Sequence, residues 1–172
     1  MKRVLLFALI FISLSCSKDE EIKKDPNIIE ITTGLDLVDV MGNVTGRIGN
    51  PNTYTKKNTV IMYPIPTNNF LSIKSTSNIK NVWIVKATVN KEFLNIDYPS
   101  ILNTKSYSPD QIKEKSIKSF EALNKSSLEV NLSSYPEGHY RIFVELNNGD
   151  IYWNNTYTGS IKGSVFDIDF WK

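Results

Sequence analysis

Beyond Ile28 the chain alternates between apolar and polar residues with a period of two, segment after segment. Successive side chains of a strand point to opposite faces, so this pattern predicts strands with one face in a core. Ile28 to Thr32 and Leu35 to Val40 are rich in branched aliphatics and read as the first two strands. Gly42, Gly46, Gly49 and Pro51 then punctuate a loop-like stretch reaching Asn58. From Val60 the alternation is cleaner. Leu71 and Ile73 point one way, with Phe70, Ser72 and Lys74 the other. Trp83, Val85, Ala87 and Val89 form one face opposite Lys86. Leu128, Val130 and Leu132 alternate with Glu129 and Asn131. Tyr140, Ile142, Val144 and Leu146 alternate with His139, Arg141 and Glu145, a polar set that reads as a solvated face broken only by Phe143.

One helix interrupts the strands. Ser108-Pro109-Asp110-Gln111 supplies a capping serine, a proline at the first helical position and a glutamine at the third. Ile112, Ile117, Phe120 and Leu123 continue as an apolar stripe, predicting a helix over about 108–124. Two turns set the strand order. Asn148-Gly149 predicts a two-residue hairpin that pairs Leu146 with Ile151 and Val144 with Trp153, turning Trp153 inward and Tyr152 outward beside Glu145. Tyr135-Pro136-Glu137-Gly138 is a second turn, and Tyr140 just after it stands where sandwich folds place a tyrosine corner.

The first residues follow another pattern: Lys2 and Arg3, an apolar run from Val4 to Leu14 broken by Ser13, then Ser15 and Cys16. A basic start, a short apolar run and a small residue describe a signal peptide. Eleven helical residues rise roughly 16 Å against about 30 Å of hydrocarbon, too little for a membrane span. A cysteine directly after the cut resembles the acylation site of bacterial lipoproteins, although Leu14 stands one place later than the usual lipobox leucine. Lys18-Asp19-Glu20-Glu21 is similar to the surface-export signal of Bacteroidota lipoproteins. Those resemblances imply lipid attachment at Cys16, anchoring in the outer membrane and display toward the cell exterior. Residues 1–15 are then the signal peptide, 16–27 the lipidated cysteine with a charged tether, and 28–172 one domain.

Loss of Lys2 and Arg3 with the signal peptide leaves eighteen basic residues against eighteen acidic ones. A neutral chain offers no electrostatic draw for nucleic acid. Cys16 is the only cysteine, so lipidation leaves the domain without disulfide, thiol nucleophile or thiolate metal site.

Tyr63-Pro64-Ile65-Pro66-Thr67-Asn68-Asn69-Phe70-Leu71-Ser72-Ile73 resembles the opening of the type A C-terminal sorting domains of type IX secretion. Leu132 to Tyr140 is similar to their later turn and strand. Ile65 stands where that family has asparagine, and the segment Asn90 to Ser126 is inserted. The resemblance spans about Val60 to Tyr157 and implies an immunoglobulin-like antiparallel β-sandwich, here with one short inserted helix.

Candidate chemistry is sparse. His139 is the only histidine, so any Ser-His-Asp hydrolase must use it. Asp167 and Asp169 share one side of a strand from Val165 to Trp171, but calcium needs six or more oxygens, and no metal site or cofactor is expected. Gly46-Arg47-Ile48-Gly49 lacks the lysine of a phosphate loop. Tyr152, Tyr157 and Trp171, near Asn154 and Asn155, are candidate ligand-contact aromatics, for a glycan or for another envelope protein. The expectation is a non-catalytic binding or accessory module held to the membrane by its N-terminal lipid. The alternatives are a structural component of type IX secretion or gliding machinery and a hydrolase using His139.

Overall fold

The computed structural model describes residues 28–56, 59–159 and Trp171. A 3₁₀ turn at Ile28–Glu30 leads into β1 (Ile31–Thr32), β2 (Gly34–Val38) and β3 (Val44–Gly49). There follow β4 (Val60–Tyr63), β5 (Phe70–Val89), two short helices α1 (Tyr98–Ile101) and α2 (Pro109–Lys115), β6 (Ser116–Phe120), β7 (Lys125–Asn131), β8 (Gly138–Leu146) and β9 (Ile151–Thr158). The expected first strand survives only as β1, and the expected loop between Gly42 and Asn58 contains β3, which pairs with β2.

β5 organises the molecule. Its first part pairs with β4 on one side and β7 on the other, with Ile73 opposite both Met62 and Leu128. Its second part pairs with β8 on one side and β6 on the other, with Trp83 opposite Phe143 and Ser119. The first part with β4 and β7 is the front layer, and the second part with β6 and β8 is the rear layer, which β9 extends beyond β8 while β1 adds to the end of β5 in parallel. The fold is therefore the mainly β sandwich that the sequence predicts, with a mixed rather than purely antiparallel sheet and two helices rather than one.

A bulge keeps β5 facing one core along its length. Ile79 pairs with Leu146 but Asn81 with Glu145, so one extra residue lies on the β5 side. Leu71, Ile73 and Ile79 thus face the same interior as Val82 and Ile84, although the two sets differ in parity. Beside them in that front core lie Val60, Met62, Val130 and Leu132 from the β4 and β7 sides, with Ile142, Val144 and Leu146 from β8.

The tyrosine corner forms as predicted. The Tyr140 hydroxyl donates to the carbonyl of Pro136 at 2.6 Å, fixing the turn to the strand that follows it. The capping box of α2 also forms, with the Ser108 hydroxyl accepting from the Gln111 amide and the Gln111 side chain accepting from the Ser108 amide. The helix stops at Lys115, however, because the next five residues pair with β5 as β6. Ile112 is buried, Ile117 is 49% exposed, and Phe120 and Leu123 pack on the front core from strand and loop instead of a helix face.

The hairpin register is one residue away from the expected one. The Leu146 amide donates to Asp150 and the Gly149 amide to Leu146, closing a three-residue loop with Gly149 at φ 83°. That is a type I turn completed by a left-handed glycine. Val144 consequently faces Tyr152 and Phe143 faces Trp153. A one-residue shift exchanges the two faces of a strand. Tyr152 therefore lies in the front core and Trp153 on the far side of the rear layer, and both are buried.

Candidate functional site

The expected solvated face of β8 is buried. Trp83, Val85, Phe143, Ile151 and Trp153 project from the rear layer into a second core with Ile29 and Ile112, lined by Tyr54, Leu102 and Tyr107. The covering pieces are short and irregular: the N-terminal turn, the segment around Asn52, and the two helices with their loops. Tyr107 meets Trp153 edge-on at 4.9 Å and Phe143 at 5.4 Å, the geometry favoured by ring quadrupoles.

Arg141 lies fully buried at the edge of this second core. Its guanidinium donates to the Asn155 Oδ1 at 2.9 Å, the Ile31 carbonyl at 2.5 Å, the Ile29 carbonyl at 3.3 Å and the Tyr107 hydroxyl at 3.4 Å. Burial presses its pKa down, and the phenols of Tyr107 and Tyr98 act in the opposite direction. Asn155 in turn donates to the Gly34 carbonyl and to Asn52 Oδ1, both at 2.9 Å, while Asn52 donates to the Ile31 carbonyl at 2.9 Å. The carbonyls of Ile29 and Ile31, in an entry segment whose strand has only two ladder residues, and that of Gly34 at the start of β2 are thus satisfied by side chains. The network is a latch that fixes the domain's entry strand. Glu145 is also buried, taking Lys80 at 2.9 Å and the Asn81 amide at 2.6 Å.

His139 is likewise not on a solvated face. Its ring sits 5.1 Å from Tyr157 and 6.5 Å from Trp171, and its Nδ1 has no hydrogen-bond partner among the described residues. Burial lowers its pKa to about 4, so it is neutral at pH 7. Trp171 reaches this position across Gly49, where any β-carbon would come within 2.6 Å of the indole.

The three expected ligand-contact aromatics do not assemble an exposed platform. Tyr152 is 4% exposed and stacks on Tyr54 at 5.7 Å, while Tyr157 is 1% exposed and donates to Glu137. Trp171 is 9% exposed and, like Tyr157, has its ring beside His139. Asn154 and Asn155 are buried on β9. Cys16, Lys18, Asp19, Glu20 and Glu21, and also Asp167 and Asp169, lie outside the described residues. Among the described residues no group of three or more His, Cys, Asp or Glu converges, and no helix is long and apolar enough to cross a membrane.

What the sequence reading missed is the tip of the β2–β3 hairpin. Val40 and Met41 are 71% and 79% exposed, and neighbouring Val44 is 66% exposed. The strand ends at Val38, short of the expected Val40, because Asp39-Val40-Met41-Gly42 forms a turn. The Gly42 amide donates to the Asp39 carbonyl at 3.0 Å and the Asp39 amide to Asn43 at 3.0 Å. The Asp39 carboxylate also accepts from the Met41 amide at 2.8 Å and the Asn43 amide at 2.9 Å. These bonds hold its pKa below the usual range, the Asn43 amide foremost. Aspartate first and glycine fourth is a type I turn signature, so the sequence did contain the signal.

Comparison with known proteins gives no matching family and no matching characterised sequence. Among solved structures, the soluble domain of PmoD from Methylocystis sp. aligns with a TM-score of 0.32 and 12% identity. The alignment covers 56% of this chain and 79% of that one, a likeness too slight to carry an argument.

Proposed function

We propose that the protein is an outer-membrane lipoprotein that displays a β-sandwich toward the cell exterior as a non-catalytic binding or accessory module. The observation that carries the reading is the single cysteine at position 16, directly behind a basic start and an eleven-residue apolar run, with a folded domain beginning at Ile28 only twelve residues later. The buried latch of Arg141, Asn155 and Asn52 suits such an attachment, because it fastens the segment through which tension from the anchor would enter the core.

Acyl modification of Cys16, read by mass spectrometry on protein from its native host, tests the anchor; an unmodified thiol there ends the proposal. Cys16→Ser is expected to release the chain from the membrane fraction. Protease shaving of intact cells tests orientation, since survival of the domain would count against outward display. A stoichiometric envelope partner recovered with the native lipoprotein would separate machinery from a free-standing binder.

A further inference from the structure

We infer that the Val40–Met41 tip, with Val44, is a wedge that enters the surface of the same bilayer that holds the acylated Cys16. The inference rests on the lipoprotein reading and deepens it, giving the domain a second membrane contact and hence a fixed orientation.

The molecule contains its own control. The β8–β9 hairpin closes with the same three-residue loop, glycine in the same left-handed place and the same pair of backbone bonds. Its central residues are Asn147 and Asn148, both exposed and polar. Turn geometry therefore does not demand apolar residues at Val40 and Met41. Packing does not demand them either, since both project into solvent. Nor is the tip a loose loop whose side chains fold back. The Asp39 carboxylate gathers two amides, and Gly42 lies close enough to Ile61 that an added β-carbon would meet its Cγ2 at 3.1 Å. A rigid loop that presents two large apolar side chains outward is preorganised for contact.

Two arguments choose lipid as the occupant. The first is size. Three side chains offer on the order of 300 Å², well below the ~800 Å² per partner of a specific protein interface. A bilayer imposes no such minimum, because the anchor already supplies a high effective concentration. The second is reach. Twelve residues extend up to roughly 40 Å, while the five residues of β2 add only about 17 Å between the entry segment and the tip. The same bilayer is thus accessible to both. The Tyr63 ring lies against Gly42 of the tip and has the exposed Lys74 ammonium 5.4 Å from its centre, a cation that suits a lipid phosphate.

The test uses the full-length acylated chain carrying Met41→Cys, in which the lipid blocks Cys16 and a nitrobenzoxadiazole label goes to position 41 alone. Asn148→Cys, at the matched turn position, is the comparison. In vesicles of phosphatidylethanolamine and phosphatidylglycerol, the label at 41 is expected to shift to the blue and to be quenched several-fold more by doxyl-labelled lipid than the label at 148. Equal exposure of both labels to aqueous iodide, in protein that floats with the vesicles, overturns the wedge and leaves the anchor intact. Shielding from iodide without doxyl quenching also overturns it, in favour of a protein cover such as a second copy. Protein that does not float, with Cys16 open to maleimide, overturns the anchor and the wedge together.

Discussion

The two faces of the rear layer are buried by different means. Toward β4 and β7 the interior is mainly aliphatic, built from Ile142, Val144 and Leu146 against Leu71, Ile73 and Val130 and joined by Tyr140 and Tyr152. On the other face Trp83, Phe143 and Trp153 share the interior with Arg141, Asn155 and Asn52, and irregular segments provide the cover. A regular sheet satisfies its own backbone groups, so only apolar area is needed to seal it. Irregular chain brings unpaired carbonyls, and a buried face covered that way must supply donors. Burial alone therefore does not rank the two faces. What differs is the effect of removing a side chain.

Arg141→Ala is expected to have the largest effect, about 3–5 kcal/mol in denaturant unfolding, because it leaves a cavity and several acceptors without their donor. Native-state hydrogen exchange should show the amides of 28–34 opening first. Ile142→Ala, the neighbour pointing the other way, is expected to cost about 2–4 kcal/mol with protection lost across the whole sheet. If both variants lose protection in the same pattern, the two faces are not distinct.

Acid sharpens the comparison further. His139 on the outer face has a folded pKa of about 4 against the ordinary 6.5. The unfolded chain then binds the extra proton, so the contribution is fully present above pH 6.5 and is lost as pH falls from 6.5 through 4. The loss amounts to about 3 kcal/mol at most, at roughly 1.4 kcal/mol per unit. His139→Gln should flatten that part of the pH–stability profile relative to the parent chain. An unchanged slope would mean that the ring is not held neutral. The smallest effect belongs to the cover itself: Ser108→Ala removes the cap of α2 and should cost about 1 kcal/mol in thermal unfolding.

The same contrast explains how much was legible in the sequence. Strands that seal the aliphatic core showed the period of two, and the tyrosine corner and the capping box were visible as short residue patterns. The second core was harder to see because its cover has no period. Its trace was nevertheless present in Val82-Trp83-Ile84-Val85, an unbroken apolar run proper to a strand buried on both faces, and in Phe143, which alternates with Arg141 and Glu145 on one side of β8. Arg141 and Glu145 looked like surface residues since charges are almost never buried unless paired. The hairpin erred for a local reason: Asn-Gly fits both a two-residue loop and the last two places of a three-residue one. Of the candidate site residues, Tyr152, Tyr157 and Trp171 carry rings that a sequence alone leaves free to stack on a ligand, whereas the fold uses them as filling.

β5 has a consequence for how the molecule comes apart. One continuous strand of twenty residues carries rungs of both layers, so melting either layer frays the strand on which the other is built. The domain is thus expected to unfold as a single all-or-none unit, and to refold slowly, because its central strand must find partners far away along the chain on both sides.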